Sequence, residues 1–92
     1  MNVIDALLYV QKLRLLFSGD YYGNIAIRRY SKEKNEFQRI GIIKVFDTTM
    51  SWIRYNSRSG TLIVARTGYM SKNIKIFDLV FDKLKSIKTM LF

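Results

Sequence analysis

The densest group of side chains that could do chemistry lies in the segment 28–39. Five cations fall there together with two aromatic residues: Arg28, Arg29, Tyr30, Lys32, Lys34, Phe37 and Arg39. Guanidinium and ammonium groups neutralise phosphates, and an aromatic ring between them stacks on a nucleic-acid base. Because Glu33 and Glu36 dilute the positive charge, the segment also fits the solvated end of a β-hairpin. It is therefore a candidate binding site for an anionic polymer, with a solvated hairpin as the alternative.

The sequence contains few of the residue types that commonly catalyse reactions. Histidine and cysteine are absent, which removes the commonest general bases, nucleophiles and zinc ligands. The aspartates fall mostly at predicted turns and strand ends, where a carboxylate usually accepts backbone N–H bonds. Residues 19–23 have the spacing Gly-x-x-x-Gly but lack the following Lys-Ser/Thr of a phosphate-binding loop. We therefore expect no enzymatic activity, no metal site and no cofactor.

Trp52 is the single tryptophan and the largest apolar candidate for a binding role. Strand alternation places its side chain on the opposite face from Ile53 and Tyr55. The sequence predicts that Trp52 packs against a neighbouring sheet, and the alternative is an exposed anchor of a protein interface.

The composition is that of a small packed domain with a strong positive charge. Of the 92 residues, 49% are hydrophobic and 14% aromatic, which are values of a folded chain. The 16 basic and 7 acidic residues give a net charge of +9, which attracts nucleic acid, acidic proteins or anionic lipid. No apolar run approaches the ~18 residues of a membrane span, and the N-terminus lacks the features of a signal peptide. We expect one domain, 1–92, in the cytoplasm or nucleus.

A repeated pattern organises the whole chain. The run from Leu15 to Ile27 contains an apolar strand, a glycine-bearing turn and an alternating strand, and a similar run starts at Leu62. Leu15 and Leu62 are 47 residues apart, and Asn24 and Asn73 are 49 apart. A period of this size, made of short strands, is typical of repeats stacked side by side. The sequence therefore predicts two repeats, 1–48 and 49–92.

Period-two alternation of apolar residues predicts four strands in each repeat. The predicted strands are 3–10, 13–18, 24–30 and 36–46 in the first repeat, and 50–56, 61–67, 73–79 and 83–92 in the second. Gly41 is a candidate β-bulge or bend. Helical spacing is also present from Val80 to Phe92, so a final helix is the alternative there. The predicted fold class is all-β, with two consecutive four-stranded antiparallel sheets.

With four short strands and about 47 residues in each repeat, the chain resembles the WD-repeat β-propeller family, most specifically around the third strand. In that family a small-residue run leads to Asp-Gly and then to an alternating strand that ends in Trp-Asp. Here residues 18–27 read Ser-Gly-Asp-Tyr-Tyr-Gly-Asn-Ile-Ala-Ile, and Phe77-Asp78 stands at the Trp-Asp position. Arg28-Arg29 replaces Trp-Asp in the first repeat, and the family's Gly-His is absent. The resemblance implies a partial β-propeller of two blades that acts as a scaffold for other proteins.

Two blades would leave apolar sheet faces without cover. Closed propellers have typically about 4–8 blades, and soluble monomers rarely expose apolar faces larger than a few hundred Å². We therefore expect a non-enzymatic interaction module that self-associates or docks on another protein. The alternative is a small basic β-domain that binds RNA or DNA through arginine, lysine and aromatic residues.

Overall fold

Eight β-strands make up the regular structure of the residues that the structure describes. The computed structural model describes residues 4–48, 50–67, 72–80 and 83–91. The strands are β1 (Ile4–Val10), β2 (Leu15–Asp20), β3 (Asn24–Ser31), β4 (Glu36–Lys44), β5 (Trp52–Asn56), β6 (Thr61–Thr67), β7 (Lys72–Val80) and β8 (Lys83–Leu91). The described residues contain no helix. Residues 83–91 form a strand, so the helical alternative for the last segment is wrong there.

The strands form two antiparallel sheets, each built in chain order. The first sheet has the order β1-β2-β3-β4 and the second has the order β5-β6-β7-β8. Short turns suffice to join these neighbours, because one antiparallel strand ends beside the start of the next. The predicted all-β fold with two consecutive antiparallel sheets is confirmed.

Several strand ends differ from the predicted ones, because residues near these ends hydrogen-bond within turns and not with the neighbouring strand. Leu13 does not begin β2, since its N–H donates to Val10 O in the preceding turn. β2 instead continues to Asp20, which still pairs with β1. β4 ends at Lys44, because the next two N–H groups donate to the Gly23 carbonyl and not to β3. The predicted ends at Val3 and Phe92 lie outside the described residues.

Both sheets carry a β-bulge at the same place in the repeat. In the first sheet Ile40 has no register partner on β3, and in the second sheet Ile87 has none on β7. These two residues are 47 positions apart, so the bulge belongs to the repeated unit. Gly41, the predicted bulge position, lies next to the extra residue and pairs with Ile27.

The bulges correct one predicted equivalence between the repeats. Aligned on them, β2 and β6 differ by 46 residues, so that Leu16 corresponds to Leu62. The sequence pointed to Leu15, because Leu15 and Leu16 are both apolar and the apolar pattern does not choose between them. A shift of one residue moves a side chain to the other face of the sheet. The correction therefore decides which faces of the two sheets are equivalent.

The two sheets pack face to face around one apolar core. The first sheet contributes Ala6, Leu8, Val10, Leu15, Phe17, Ile25, Ile27 and Ile43. The second sheet contributes Ile53, Tyr55, Leu62, Val64, Phe77, Leu79 and Leu84. We call these two sets the inner faces. The sheets lie closest where β1 and β2 meet β5, and removal of this apolar area from water is the main force that holds them together.

The connection between the sheets also packs into the core. Its buried residues are Val45, Phe46 and Met50. The Gly23 carbonyl accepts hydrogen bonds from the first two of these, at 2.8 and 3.1 Å. On the other side Lys75 Nζ donates to the Val45 carbonyl at 2.6 Å. The connection is thus fixed to the first sheet through Gly23 and to the second through Lys75.

Asp20 organises the turn between β2 and β3. Its Oδ1 accepts the backbone N–H groups of Tyr22 and Asn24 at 2.9 and 3.0 Å. Its Oδ2 accepts a hydrogen bond from Asn24 Nδ2 at 3.2 Å. The carboxylate is buried and engaged with the turn, which is the structural role that the sequence predicts for an aspartate at this place.

The Arg14→Gly variant should be more stable than the Arg14→Ala variant by about 1 kcal/mol. Arg14 closes the β1–β2 turn with a φ of 55°, a conformation that costs free energy for any residue with a Cβ. The corresponding residue of the β5–β6 turn, 46 positions later, is Gly60 with a φ of 67°. Urea unfolding of both variants measures the difference, and equal stabilities would contradict the prediction.

Candidate functional site

The face of the first sheet that points away from the second sheet is rich in exposed apolar side chains. It consists of Leu7, Tyr9, Leu16, Ser18, Ala26, Arg28, Tyr30, Phe37, Arg39 and Ile42, and we call it the first outer face. Leu7 is 62% exposed and Ile42 is 55% exposed. Contiguous apolar faces on soluble proteins commonly mark sites of protein or ligand binding. This face is therefore the candidate interaction surface.

A row of register partners crosses this face from one edge strand to the other. Leu7, Ser18, Ala26 and Ile42 are successive register partners on β1, β2, β3 and β4. The two large side chains lie on the edge strands, and the two small ones lie on the central strands. Side chains of cross-strand partners stand side by side on one face. The row therefore has an aliphatic side chain at each end, and Ser18 within it is buried and hydrogen-bonded to Arg28 Nη1.

Three aromatic rings lie beside this row. The Tyr9 ring, from β1, lies 5.8 Å from the Phe37 ring, from β4, with an interplanar angle of 83°. Tyr30 extends the group, with its ring centroid 5.4 Å from that of Phe37. Since β1 and β4 are the two edge strands, their rings meet above the central strands. The result is an aromatic platform that offers both apolar area and ring edges to a partner.

The positive charge of this face comes from two arginines beside the platform. Arg28 and Arg39 are register partners on β3 and β4. Arg28 is half-buried, and its Nη1 donates to Ser18 Oγ at 3.0 Å. Arg39 is exposed. A partner surface that carries a carboxylate at this margin would complement the two cations.

The outer edge of the first sheet is poorly suited to pairing with another strand. β4 carries the charged residues Glu36, Arg39 and Lys44, and the bulge at Ile40 interrupts its ladder. Charged side chains and bulges are the features with which natural sheets discourage strand addition. Docking on the first sheet is therefore expected on its outer face.

The second sheet has an outer face of its own. It consists of Trp52, Arg54, Thr61, Ile63, Ala65, Ile74, Ile76, Asp78 and Val80, and we call it the second outer face. The Arg54 guanidinium carbon lies 5.4 Å from the centroid of the Trp52 ring. Trp52 is half-buried and points away from the first sheet. Within the chain, the prediction that Trp52 packs against the neighbouring sheet is therefore wrong.

The structure separates the predicted site residues into four places. Arg28, Tyr30 and Arg39 lie together on the first outer face. Arg29 is exposed at the opposite side of β3, in register with Leu15 and Gln38. Lys32 and Lys34 are exposed in the β3–β4 turn, and Trp52 lies on the second sheet. The seven residues therefore do not form one site.

Sequence reasoning did not select Leu7, Tyr9 and Ile42 as binding residues, although they dominate the exposed area of the first outer face. These residues alternate with core residues on the same strands, so their pattern is that of strands with two apolar faces. An apolar pattern on both faces was the available signal. Such a pattern indicates that a second layer covers each face, and among the described residues the second sheet supplies such a layer to only one face of the first sheet.

A polar cleft of about 600 Å³ lies beside the connection between the sheets. Its lining residues are Lys44, Val45, Phe46, Asp47, Thr48, Arg66, Asn73 and Lys75. Two of its cations already serve the fold, since Lys44 Nζ donates to Tyr22 O at 2.7 Å and Lys75 Nζ donates to Val45 O. Among the described residues, no group of three or more acidic side chains could hold a metal ion. These two lysines of the cleft therefore have structural partners in the fold.

In the parts of the chain that the structure describes, no helix is long and apolar enough to cross a membrane. Function must be inferred from the two outer faces themselves. No protein-family model matches the chain, and no curated protein matches it in sequence.

Proposed function

We propose that this chain is a non-enzymatic protein-interaction module that binds its partner through the first outer face. The observation that carries the proposal is the exposure of large apolar side chains there, led by Leu7, Ile42 and Phe37. Burial of such side chains contributes about 1.5–3 kcal/mol each. The aromatic platform and the two arginines add residue types that are enriched at the centres of protein interfaces.

The fold further supports a scaffold role of the propeller type. Each repeat is a four-stranded meander with a bulge at the same position, and the sheets approach most closely at their first strands. Neighbouring blades of a propeller would be arranged in this way, because blades diverge from a central axis. The Asp20 turn lies at the place where the WD-repeat resemblance is strongest. We infer that the two sheets are blade-like units that present rigid faces to other chains.

A second candidate function is the binding of single-stranded RNA or DNA. It is favoured by the position of Arg28 and Arg39 beside the Tyr30 and Phe37 rings, which could contact phosphates and stack on bases. The exposed aliphatic side chains of Leu7 and Ile42 have no role in that function. Lys32 and Lys34 in the turn and Arg29 on the opposite side of β3 would also not contribute to the same surface. Protein binding accounts for more of the exposed residues.

A photoreactive phenylalanine analogue placed at Phe37 should form an adduct with a protein in cells that produce the chain. The ring lies on the aromatic platform and is 42% exposed, so it would touch whatever covers the face. The adduct should be sensitive to protease and resistant to nuclease. Adding Leu7→Asp should reduce its yield at least tenfold, because a carboxylate would be buried in an apolar contact.

Two controls make the crosslinking specific to this face. Gln11→Asp introduces the same charge in an exposed turn and should leave the yield unchanged. The analogue at Lys32, also in an exposed turn, should form little adduct. A nuclease-sensitive adduct would support the nucleic-acid function, especially if Arg28→Ala and Arg39→Ala each lower the salt slope of oligonucleotide binding by about one unit. Absence of any adduct at position 37 would contradict both functions.

A further inference from the structure

We propose that a second copy of this chain covers the first outer face, in a head-to-tail contact that repeats the contact between the chain's own two sheets. The proposal rests on the proposed function, because it identifies the protein that the face binds.

The bulge-based alignment shows what the first outer face corresponds to in the second repeat. Leu7 and Leu16 correspond to Ile53 and Leu62, each 46 residues later. Ile53 and Leu62 belong to the inner face of the second sheet and are 1% and 0% exposed. The first outer face is therefore the equivalent of a face that is covered within the chain.

The other two faces correspond in the same way. Phe17 and Ile25, on the inner face of the first sheet, correspond to Ile63 and Ile74 on the second outer face. Phe17 and Ile25 are fully buried, and Ile63 and Ile74 are half-buried. The contact inside the chain thus joins two different faces of the repeated unit, which makes it a heterologous contact.

One chain therefore carries both halves of a further contact of the same kind. The second outer face is equivalent to the inner face of the first sheet. The first outer face is equivalent to the inner face of the second sheet. Heterologous contacts join copies head to tail, and they form a ring if the rotation closes or a filament if it does not. With two blades per copy and typically about 4–8 blades in a closed propeller, a ring would contain roughly two to four copies.

The side chains of the two open faces are compatible with each other. The second outer face offers Trp52 with Arg54 beside its ring, and the first outer face offers the aromatic platform. Asp78 on the second outer face supplies a carboxylate of opposite sign to Arg28 and Arg39. Aromatic and arginine residues are enriched in interface cores, and opposite charges fix the register of a contact.

Two substitutions that each block one half of the contact test the head-to-tail arrangement. Leu7→Asp blocks the first outer face, and Ile63→Asp blocks the second. Sedimentation velocity should show wild-type assemblies larger than one chain at tens of micromolar. Each variant alone should be monomeric, since a buried carboxylate weakens the contact at least tenfold. An equimolar mixture should form a 1:1 dimer, because each variant retains the half that the other lacks.

The controls show whether a variant is monomeric because the contact is blocked, because the variant is unfolded or because its charge has changed. Gln11→Asp, with the same change in charge, should assemble like the wild type. If Ile63→Asp loses its circular dichroism spectrum, Asp78→Lys on the same face replaces it, because a cation there would repel Arg28 and Arg39 of the other copy. Assembly should strengthen as salt rises, because two copies of net charge +9 repel each other and salt screens that repulsion.

Three results would overturn the proposal. A mixture that stays monomeric would exclude the head-to-tail contact. Assembly that only Leu7→Asp abolishes would show a two-fold pairing of the first outer face with itself. A monomeric wild type whose Phe37 adduct contains a different protein would exclude a second copy, while the proposed protein-binding function would still stand.

Discussion

Replacing Gly23 by alanine should lower the free energy of unfolding by about 3–5 kcal/mol, a large share of the stability of a domain this small. Gly23 has a φ of 84°, where a residue with a Cβ is strained. A Cβ there would overlap the carbonyl oxygen of Phe46 and lie 2.6 Å from that of Thr48. Both are backbone atoms of the connection between the sheets, so relief of the overlap would displace that connection. Thermal or urea unfolding followed by circular dichroism measures the loss.

Alanine substitutions at two other glycines separate the conformational strain from the steric overlap. Gly60 has a φ of 67°, and a Cβ there would meet only Tyr55 Oη, at an ordinary contact distance of 4.0 Å. Gly60→Ala should therefore cost only the conformational strain of about 1–2 kcal/mol. Gly41 has no atom within 4 Å of its Cβ position and no positive φ, so Gly41→Ala should be neutral or slightly stabilising. A Gly23→Ala variant as stable as Gly60→Ala would contradict the role of the close approach.

Replacing Leu15 by alanine should destabilise the chain by about 2–5 kcal/mol, whereas Leu7→Ala should change its stability by about 0.5 kcal/mol or less. The two leucines lie on neighbouring strands of the first sheet but on opposite faces. Leu15 is 0% exposed in the core, and Leu7 is 62% exposed on the first outer face. Unfolding in urea at low protein concentration, where self-association does not contribute to stability, measures both losses.

The comparison tests which face of the first sheet is covered by the second. Similar losses for Leu15→Ala and Leu7→Ala would show that both faces are buried or that the faces are assigned wrongly. Because the side chains are the same, differences in intrinsic strand preference or transfer free energy do not enter the comparison.

Much of the fold could be predicted from the sequence, because alternation and turn residues act locally. The strand 61–67 and the start of β3 at Asn24 follow directly from apolar alternation after a turn. The end of β4 could not be predicted, because Val45 and Phe46 continue the apolar run while their N–H groups bond to Gly23. That choice depends on a tertiary contact between distant residues, which a local pattern does not contain.

The candidate site was harder to predict than the fold. Strand alternation correctly predicted that Arg28 and Arg29 lie on opposite faces of β3. It could not show which of these two faces the second sheet covers. Trp52 illustrates the same difficulty, since its alternation with Ile53 was correct while its expected packing partner was not. Charge density drew attention to the segment 28–39, although the exposed apolar residues Leu7, Tyr9 and Ile42 lie outside it.

The order of the strands has a consequence for the chain while it is being synthesised. Each sheet pairs only strands that are neighbours in the sequence, so the first sheet has all its strands once Lys44 has been added. Its apolar inner face then waits for β5, β6 and β7, the last of which ends at Val80, 36 residues later. At about 5–20 residues per second this interval lasts roughly 2–7 s. During this interval the inner face of one nascent chain is accessible to the second sheet of a neighbouring chain on the same messenger RNA. Two such chains would exchange their second sheets, with the connection 45–51 of each chain crossing from one molecule to the other.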